Sequence, residues 1–372
     1  MPSAVVTDEQ APTPHAISIV SGYEDVRAVL RDPVVFSTEG DAIDCGQQRP
    51  LIPLQSPPEE HSRYRSVLEA AFSPKVVAAL DSELRRHANH LIDGFAGDGR
   101  VEFNAAFSRP FPVLALLALL DLPVGDRDRI RAFHDRILHP GDVGDLDVHR
   151  RRVGEEVYRY FEPVVAARRA APGGDLISAL QHPEGDGEPF SDDEVVDVCY
   201  LLVLAGIDPV GGALAGIVAY LGADPVLRTA LLEDPASLRR AIEELLRWGS
   251  SVKAIARVVT TAATVDGYAL SPGDRIGCAL SAANRDPALF DRPDVVDLER
   301  RGTPHLTFGV GPHHCVGAHL ARLQLRVALE ELHRRLPDHR LDPAADARVD
   351  PATIGAHDEL HLVFTADGAP RR

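Results

Sequence analysis

The stretch Phe308-Gly309-Val310-Gly311-Pro312-His313-His314-Cys315-Val316-Gly317 decides the fold of this 372-residue chain. Its three glycines allow backbone angles that other residues avoid, and they let a flat ligand approach the main chain closely. Cys315 precedes an amphipathic segment, so the positive end of the predicted helix and the loop amides would stabilise a thiolate. The ring of Phe308 would shield the sulfur from water. The loop therefore predicts a reactive cysteine held in a glycine-rich turn.

Three interpretations of this cysteine are open from the residues alone. A free cysteine is most often buried and inert, so the loop could be a turn around a core thiol. His313, His314, Cys315 and His319 could ligate zinc, although they lack the paired ligand spacing of zinc sites. A lone thiolate with no second cysteine nearby favours an axial ligand of haem iron.

The loop resembles the haem-binding loop of the cytochrome P-450 superfamily, F-G-x-G-x-H-x-C-x-G, at every fixed position. The likeness continues through Ala318, Leu320, Ala321 and Arg322, as in soluble bacterial members. It implies a mainly α (α+β) chain with one triangular helical fold and small β-sheets over residues 1–372. It also implies haem b (iron protoporphyrin IX) with Cys315 as the axial ligand. The implied activity is a haem-thiolate monooxygenase that activates dioxygen to oxidise a small organic molecule in bacterial secondary metabolism.

Basic residues in other segments match the family in the same order along the chain. His61 and Arg65 match its H-x-x-x-R helix, and Arg257 matches the arginine that follows its ExxR helix. With His313 in the cysteine loop, the resemblance implies four partners for the two haem propionates. Arginine suits this role because its planar fork binds a carboxylate at two points.

Glu244 and Arg247 stand three residues apart, on one face of a predicted helix. From spacing alone this is a solvated surface pair worth a few tenths of a kcal/mol. The resemblance implies instead the ExxR motif, a structural ion pair that Arg300 closes from a later segment. Asn284-Arg285-Asp286-Pro287 also matches a family segment.

The helix predicted over Val195–Leu221 departs from the family where oxygen is activated. The family pattern is A-G-x-[DE]-T-[TS], and Ala205, Gly206 and Asp208 match it, but Pro209 stands at the threonine position. The resemblance implies Asp208 as a proton relay. Proline removes a helix hydrogen bond and kinks a helix, at about 3 kcal/mol when uncompensated. Either the kink is tolerated while water and Asp208 deliver protons, or the substrate supplies the hydroxyl. Oxidative coupling or peroxide-driven oxidation is the further alternative.

The resemblance also implies the substrate pocket and the electron donors. The pocket residues are Leu202, Ala205, Gly206, Pro209, Val252, Lys253 and Ile255, with parts of 42–54 and 138–146 as a lid. Lys253 either extends to solvent or meets an acidic group on the substrate. Ferredoxin and ferredoxin reductase would supply electrons, with Arg63, Arg322 and Arg326 as docking contacts on the cysteine side.

Composition excludes several classes of protein. Lys plus Arg is 39 and Asp plus Glu is 56, a net charge of −17, which argues against coating nucleic acid or an anionic membrane. Four separated cysteines without CxxC indicate a reducing cytosol, and the N-terminus has no signal-type apolar stretch. The longest wholly apolar run, Val198–Ile207, is too short to span a bilayer. We expect a cytoplasmic enzyme; a zinc hydrolase and a haem sensor without turnover are the rivals.

Periodicity and turn residues predict a mostly helical chain with minor sheet. The predicted helices are Tyr23–Leu30, Ser73–Phe95, Arg127–Leu138, Val148–Arg169 and Val316–Leu336. The predicted strands are Ala16–Val20, a hairpin over Arg257–Gly273, and His361–Phe364.

Overall fold

The computed structural model describes residues 4–7, 16–39, 45–183, 187–233, 235–300, 302–345 and 359–367, and these form a mainly helical fold with small sheets. The helices are α1 (Tyr23–Arg31), α2 (Pro58–Ala71), α3 (Pro74–Ala78), α4 (Asp81–Asp93), α5 (Pro110–Leu119), α6 (Arg127–Leu138), α7 (Leu146–Ala170), α8 (Leu176–Gln181), α9 (Asp192–Ala205), α10 (Asp208–Ala223), α11 (Pro225–Glu233), α12 (Pro235–Gly249), α13 (Leu280–Ala283) and α14 (Ala318–Arg335). A π-helical turn covers Asn104–Ser108 and a 3₁₀ turn covers Val124–Asp126.

The strands form sheets of five, three and two members within the described residues. They are β1 (Ala4–Thr7), β2 (Ala16–Val20), β3 (Phe36–Ser37), β4 (Arg100–Glu102), β5 (Ile255–Val259), β6 (Ala263–Val265), β7 (Tyr268–Leu270), β8 (Arg275–Cys278), β9 (Arg340–Leu341) and β10 (His361–Val363). The largest sheet has the order β1-β2-β8-β5-β3, and its β2–β8 pair is parallel, with Ile17 opposite Arg275.

Helix α10 lies at the centre of the larger hydrophobic core. It packs against α5, α11, α12 and α14, and most of its side chains are buried. Helix α5 is apolar on every side, which is typical of a helix surrounded by protein. A second, smaller core joins the five-stranded sheet to α1 through residues such as Val26, Val259 and Ile276.

Most predicted helices differ from the observed ones by one or two residues at their ends, and two of the differences have a clear local cause. Ser73–Phe95 is divided into α3 and α4, because the amides of Ala79 and Leu80 bond to carbonyls three residues back and tighten the turn. The last long helix begins at Ala318 rather than Val316, with Gly317 as its N-cap. Strand Ala16–Val20 and the helix starting at Tyr23 lie where the sequence predicts them.

The predicted hairpin is smaller than expected. Asp266 and Gly267 have φ of 48° and 77° and turn the chain between β6 and β7 only. Strand β5 instead pairs with β8 and β3 in the main sheet. The chain leaves β5 at Thr260, whose N–H donates to the carbonyl of Val35.

The central helix is interrupted at Gly206 and Ile207, and this break accommodates Pro209. Helix α9 ends at Ala205, and α10 restarts at Asp208, which makes Pro209 its second residue. The first four N–H groups of a helix have no intrahelical acceptor, so a proline there removes no bond that the helix would form. The predicted kink is present, and the uncompensated cost of an interior proline does not arise.

The segment 192–223 is long and apolar enough to cross a membrane by length and composition, and 56% of its most apolar window is buried inside the protein. Burial of this kind is typical of a core helix. The segment therefore gives no independent indication of a membrane.

Candidate active site

The cysteine loop is fixed by two glycines and by its contact with α1. Gly309 and Gly311 have φ of 67° and 80°, which favours glycine at both positions. A Cβ on Gly311 would lie 2.6 Å from the carbonyl oxygen of Leu30. The amide of Cys315 donates to the carbonyl of Phe308 over 2.8 Å. Gly317 has an ordinary φ of −78°, so the expectation of unusual backbone angles is wrong for this glycine.

Cys315 is solvent-exposed, whereas Cys45, Cys199 and Cys278 are buried. Protein nonetheless surrounds its thiol on most sides, and this burial raises the pKa of Cys315. The amide of Gly317 and the charges of Arg65 and Arg322 act in the opposite direction and lower it only in part. The predicted stabilisation of a thiolate is thus present but outweighed, and a bound cation would reverse the balance.

Phe308 is held in place by a chain of charged contacts. The guanidinium of Arg322 lies 4.4 Å from the centre of the Phe308 ring. Arg322 also donates to both carboxylate oxygens of Glu243 at 2.7 and 2.8 Å, and His305 Nε2 lies 3.1 Å from the same carboxylate. These contacts tie the loop to α12.

The four predicted propionate partners influence one another electrostatically. The rings of His61 and His313 are 4.3 Å apart between centroids. Burial, followed by the neighbouring His61, Arg257 and Arg65, lowers the pKa of His313 to about 3. Burial and Arg65 likewise lower the pKa of His61. The structure therefore brings together four basic groups, on α2, β5 and the cysteine loop.

This cluster fits an anionic ligand. His61 Nε2 is buried and has no hydrogen-bond partner among the described residues, although such atoms are rarely left unpaired. A cavity of about 220 Å³ adjoins it, with His313, Ser37, Thr38, Glu39 and Ser56 in its lining. Two arginines and two imidazoles can donate hydrogen bonds to two carboxylates, and this is the donor set that haem propionates require.

Glu244 is held by two arginines. Arg247 donates to both of its carboxylate oxygens, and Arg300 Nε lies 3.1 Å from Oε2. Arg247 also donates to the carbonyls of Asn284 and Pro293. The structure thus joins the three residues that the ExxR resemblance singles out. It also removes the surface-pair interpretation, because Glu244 and Arg247 are both buried.

The predicted pocket residues of the central helices share one accessible face. Ala205 is exposed, and Leu202, Gly206 and Pro209 are partly exposed, although the adjoining positions Val203, Leu204, Ile207 and Val210 are buried. Val252 and Ile255 are also partly exposed. The Nζ of Lys253 donates to the carbonyl of Gly249 at 3.1 Å. Of the predicted lid, residues 42–44 lie outside the described residues.

Two histidines that the sequence analysis missed contact Asp208. His139 Nε2 lies 2.5 Å from Asp208 Oδ2, and His134 Nε2 lies 3.5 Å from Oδ1. Both histidines lie at the C-terminal end of α6, 69 or more residues from Asp208 in sequence. A spacing of five between them gives no helical periodicity, so the sequence offers no signal for this contact.

The zinc interpretation loses support from the structure. Within the described part of the chain, ligand atoms of three metal-binding residues converge at His134, His139 and Asp208, and not at the histidines of the cysteine loop.

The three arginines predicted to contact the electron donor are paired with carboxylates. Arg63 pairs with Glu188 and Glu194, Arg322 with Glu243, and Arg326 with Asp81. The local positive charge expected from these three is therefore reduced.

Comparison with known proteins agrees with this geometry. A sequence profile described as cytochrome P450 matches residues 168–337. The mycinamicin IV hydroxylase/epoxidase of Micromonospora griseorubida is 34% identical over 331 residues, 87% of this chain and 83% of that protein. The cyclomarin C epoxidase of Salinispora arenicola is 35% identical over 324 residues, 84% and 82% of the two chains. The structure of HmtT, involved in himastatin biosynthesis, superposes with a TM-score of 0.83 at 32% identity, covering 97% of this chain and 94% of the other.

The fold and the cysteine loop thus define a haem-iron oxidoreductase of the monooxygenase type, acting on a small molecule with electrons from a redox partner. The chain belongs to the cytochrome P450 family.

Proposed function

We propose that the chain is one haem b domain over residues 1–372, in which Cys315 ligates the iron and His61, Arg65, Arg257 and His313 bind the two propionates. The observation that supports this assignment is the convergence of four basic groups beside an exposed cysteine. When bound, haem supplies the chemistry of oxygen activation, and a thiolate ligand favours cleavage of the O–O bond. The chain supplies the ligand, the anion-binding groups and a shaped cleft.

The proposed substrate is a small natural product, oxidised by insertion of oxygen, in the cytoplasm of a bacterium. The names of the relatives support this, since they hydroxylate or epoxidise mycinamicin and cyclomarin or act in himastatin biosynthesis. The mostly apolar accessible face of α9 and α10 would bind such a molecule. A ferredoxin with its reductase is the proposed electron donor.

Asp208 is the proposed proton donor on the oxygen side of the haem, because the threonine of the family pattern is Pro209 here. A second candidate reaction follows from Pro209. Without an alcohol side chain at position 209, oxidative coupling or peroxide-driven oxidation remains an alternative to oxygen insertion. Products formed under labelled dioxygen distinguish the two, because only insertion leaves the label in the product.

Haem recognition is tested by comparing haemin with its dimethyl ester, which lacks the propionate charges. Apoprotein should bind haemin much more tightly than the ester. The variants H61Q and R257Q should release haem faster to a haem-scavenging globin than the exposed-site controls H90Q and R86Q. Equal binding of the two porphyrins by the unmodified protein would contradict the proposed propionate sites.

Substrate class is tested by screening macrolides, cyclic peptides and fatty acids for a shift of the Soret band. Displacement of water from the iron by a bound substrate moves that band. The proposal predicts shifts with members of the first two classes. A response restricted to fatty acids would overturn the natural-product assignment and leave haem binding intact.

A further inference from the structure

Two imidazoles and one carboxylate converge where the end of α6 meets the start of α10. His139, the C-cap residue of α6, has its Nε2 2.5 Å from Oδ2 of Asp208, the first residue of α10. His134 Nε2 lies 3.5 Å from Asp208 Oδ1. One ligand atom from each of the three side chains lies within 4.8 Å of the other two. The P450 pattern of the sequence accounts for Asp208 but for neither histidine.

His134 presents an unpaired lone pair to this carboxylate. Its side chain is fully buried, and its Nδ1 lies 3.1 Å from Oδ1 of Asp135. An ionised carboxylate only accepts hydrogen bonds, so the ring proton is on Nδ1, and Nε2 of the neutral imidazole carries the lone pair. This Nε2 has no hydrogen-bond partner among the described residues. A buried polar atom of this kind calls for a bound water or ion.

The spacing of the three groups fits a metal ion. Ligand atoms about 2.0–2.1 Å from a tetrahedral zinc ion are roughly 3.4 Å apart, close to the 3.5 Å between His134 Nε2 and Asp208 Oδ1. A shared proton fits this gap less well, because N–H···O bonds are about 2.7–3.2 Å long. His139 and Asp208 would have to separate by about 1 Å to bind the same ion. Their side chains are 29% and 27% exposed, which leaves room for this movement and a path for the ion.

Asp135 supplies the outer contact that metal-binding histidines require. Such a histidine almost always donates its second ring N–H to a carboxylate or carbonyl, which fixes the tautomer and makes the ligand nitrogen more basic. Asp135 accepts this hydrogen bond from His134. Two imidazoles and one carboxylate, with a fourth position for water, form a ligand set that zinc uses. Mg²⁺ and Ca²⁺ prefer oxygen ligands alone and suit the cluster less well.

We propose that His134, His139 and Asp208 bind one divalent transition-metal ion of the zinc type, which joins α6 to α10. This site is separate from the cysteine loop. Its consequence for activity rests on the proposed function, in which Asp208 donates protons. A metal ion bound to the Asp208 carboxylate replaces the proton there. Zinc should therefore inhibit the oxidation, and a chelator should restore it.

The test titrates the haem-loaded protein with Zn²⁺ by calorimetry, so that haem occupies Cys315. H139Q removes one ligand of the proposed site, and H90Q, an exposed histidine on α4, is its control. D135N removes the charge of the outer carboxylate, and D128N, an exposed aspartate on the same helix, is its control. X-ray absorption at the zinc edge identifies the ligands.

The unmodified protein should bind one tight zinc ion per chain, and excess Mg²⁺ should not displace it. D135N should weaken this binding about tenfold or more, and H139Q should weaken it further. H90Q and D128N should match the unmodified protein within twofold. The zinc-edge spectrum should show two imidazole ligands, and one of them should be lost in H139Q.

Inhibition is measured with hydrogen peroxide and the one-electron dye ABTS, because zinc could also act on a redox partner. One peroxide takes one electron from each of two dye molecules and two protons, and it gives two waters. Zinc should slow this reaction, EDTA should reverse the effect, and H139Q should need about tenfold more zinc for the same inhibition. Zinc bound at this site without any inhibition would overturn the consequence for activity.

Zinc bound equally by H139Q and the unmodified protein would mean that surface histidines hold the ion, and the inference would be overturned. A zinc-edge spectrum without imidazole ligands would overturn it as well. If H139Q fails to fold, the comparison of D135N with D128N decides the question. A missing carbon monoxide band in the unmodified protein would instead reject the proposed function, whereas zinc stoichiometry would still decide the metal site.

Discussion

Arg247 and Glu244 form a two-point ion pair with both side chains almost fully buried, with Nε–Oε2 at 2.8 Å and Nη2–Oε1 at 2.7 Å. Arg300 approaches the same carboxylate from the segment after α13. A buried pair of this kind is costly to break, because the remaining charge loses its counter-charge in a place that water does not reach. The pair therefore joins α12 to the chain that leads into the cysteine loop.

Replacing Glu244 by Gln should lower the free energy of unfolding by about 3–5 kcal/mol, because two arginines then lose their counter-charge. Denaturant titration of the holoprotein measures this. The control is R240L, an exposed arginine on the same helix, which should change the stability by less than about 0.5 kcal/mol. Equal changes in the free energy of unfolding for E244Q and R240L would contradict the stabilising role of the buried ion pair.

Gly311→Ala should destabilise the protein by more than the positive φ of Gly311 alone explains. Its φ of 80° disfavours alanine, and a Cβ would also approach the Leu30 carbonyl to 2.6 Å. Gly267 has a similar φ of 77° but nothing within 4 Å of a Cβ, so G267A is a matched control. We expect G267A to cost about 1–2 kcal/mol and G311A distinctly more, with faster release of haem. Thermal unfolding and haem transfer to a globin measure the two effects.

The stability that Glu194 contributes to the folded protein should decrease in acid. Burial alone would raise the pKa of Glu194, but hydrogen bonds from Arg63, the Ser191 amide and Tyr64 lower it to about 2. Its folded pKa thus lies below the ordinary value of about 4.3, so its contribution to stability is complete above that pH and disappears as pH falls toward 2. E194Q should therefore destabilise the protein at pH 7 and progressively less below pH 4.

The control for Glu194 is E59Q, because Glu59 is exposed at the start of α2. Unfolding is followed by denaturant at pH 7, 5 and 3. A difference between E194Q and the unmodified protein that stays constant over this range would contradict the assignment.

Pro209→Thr should change stability by less than about 1 kcal/mol, since the second residue of α10 has no intrahelical N–H bond to gain. The effect of P209T should appear in the rate of product formation instead. With a substrate found by the Soret screen, P209T should make product formation less dependent on Asp208, so that D208N costs less in the P209T background. A double-mutant cycle of P209T and D208N measures this coupling, and strict additivity would count against it.

Much of the site could be predicted because its key residues are close in sequence or match a specific pattern. Cys315 and the glycines form one loop, and Glu244 and Arg247 are one helical turn apart. The contact of His139 with Asp208 could not be predicted, because it depends on how α6 packs across the break between α9 and α10. The ion pairs that neutralise Arg63 and Arg326 also join distant segments. The division at Ala79 carries no proline or glycine signal at all.

The most direct test of the account is the absorption spectrum of the purified, reduced holoprotein under carbon monoxide. Ligation by the Cys315 thiolate predicts the long-wavelength Soret band after which the family is named, and Cys315→Ser should abolish that band while Cys278→Ser retains it. A folded protein supplied with haemin that gives no such band, or a C315S variant that keeps it, would contradict the assignment of Cys315 as the iron ligand.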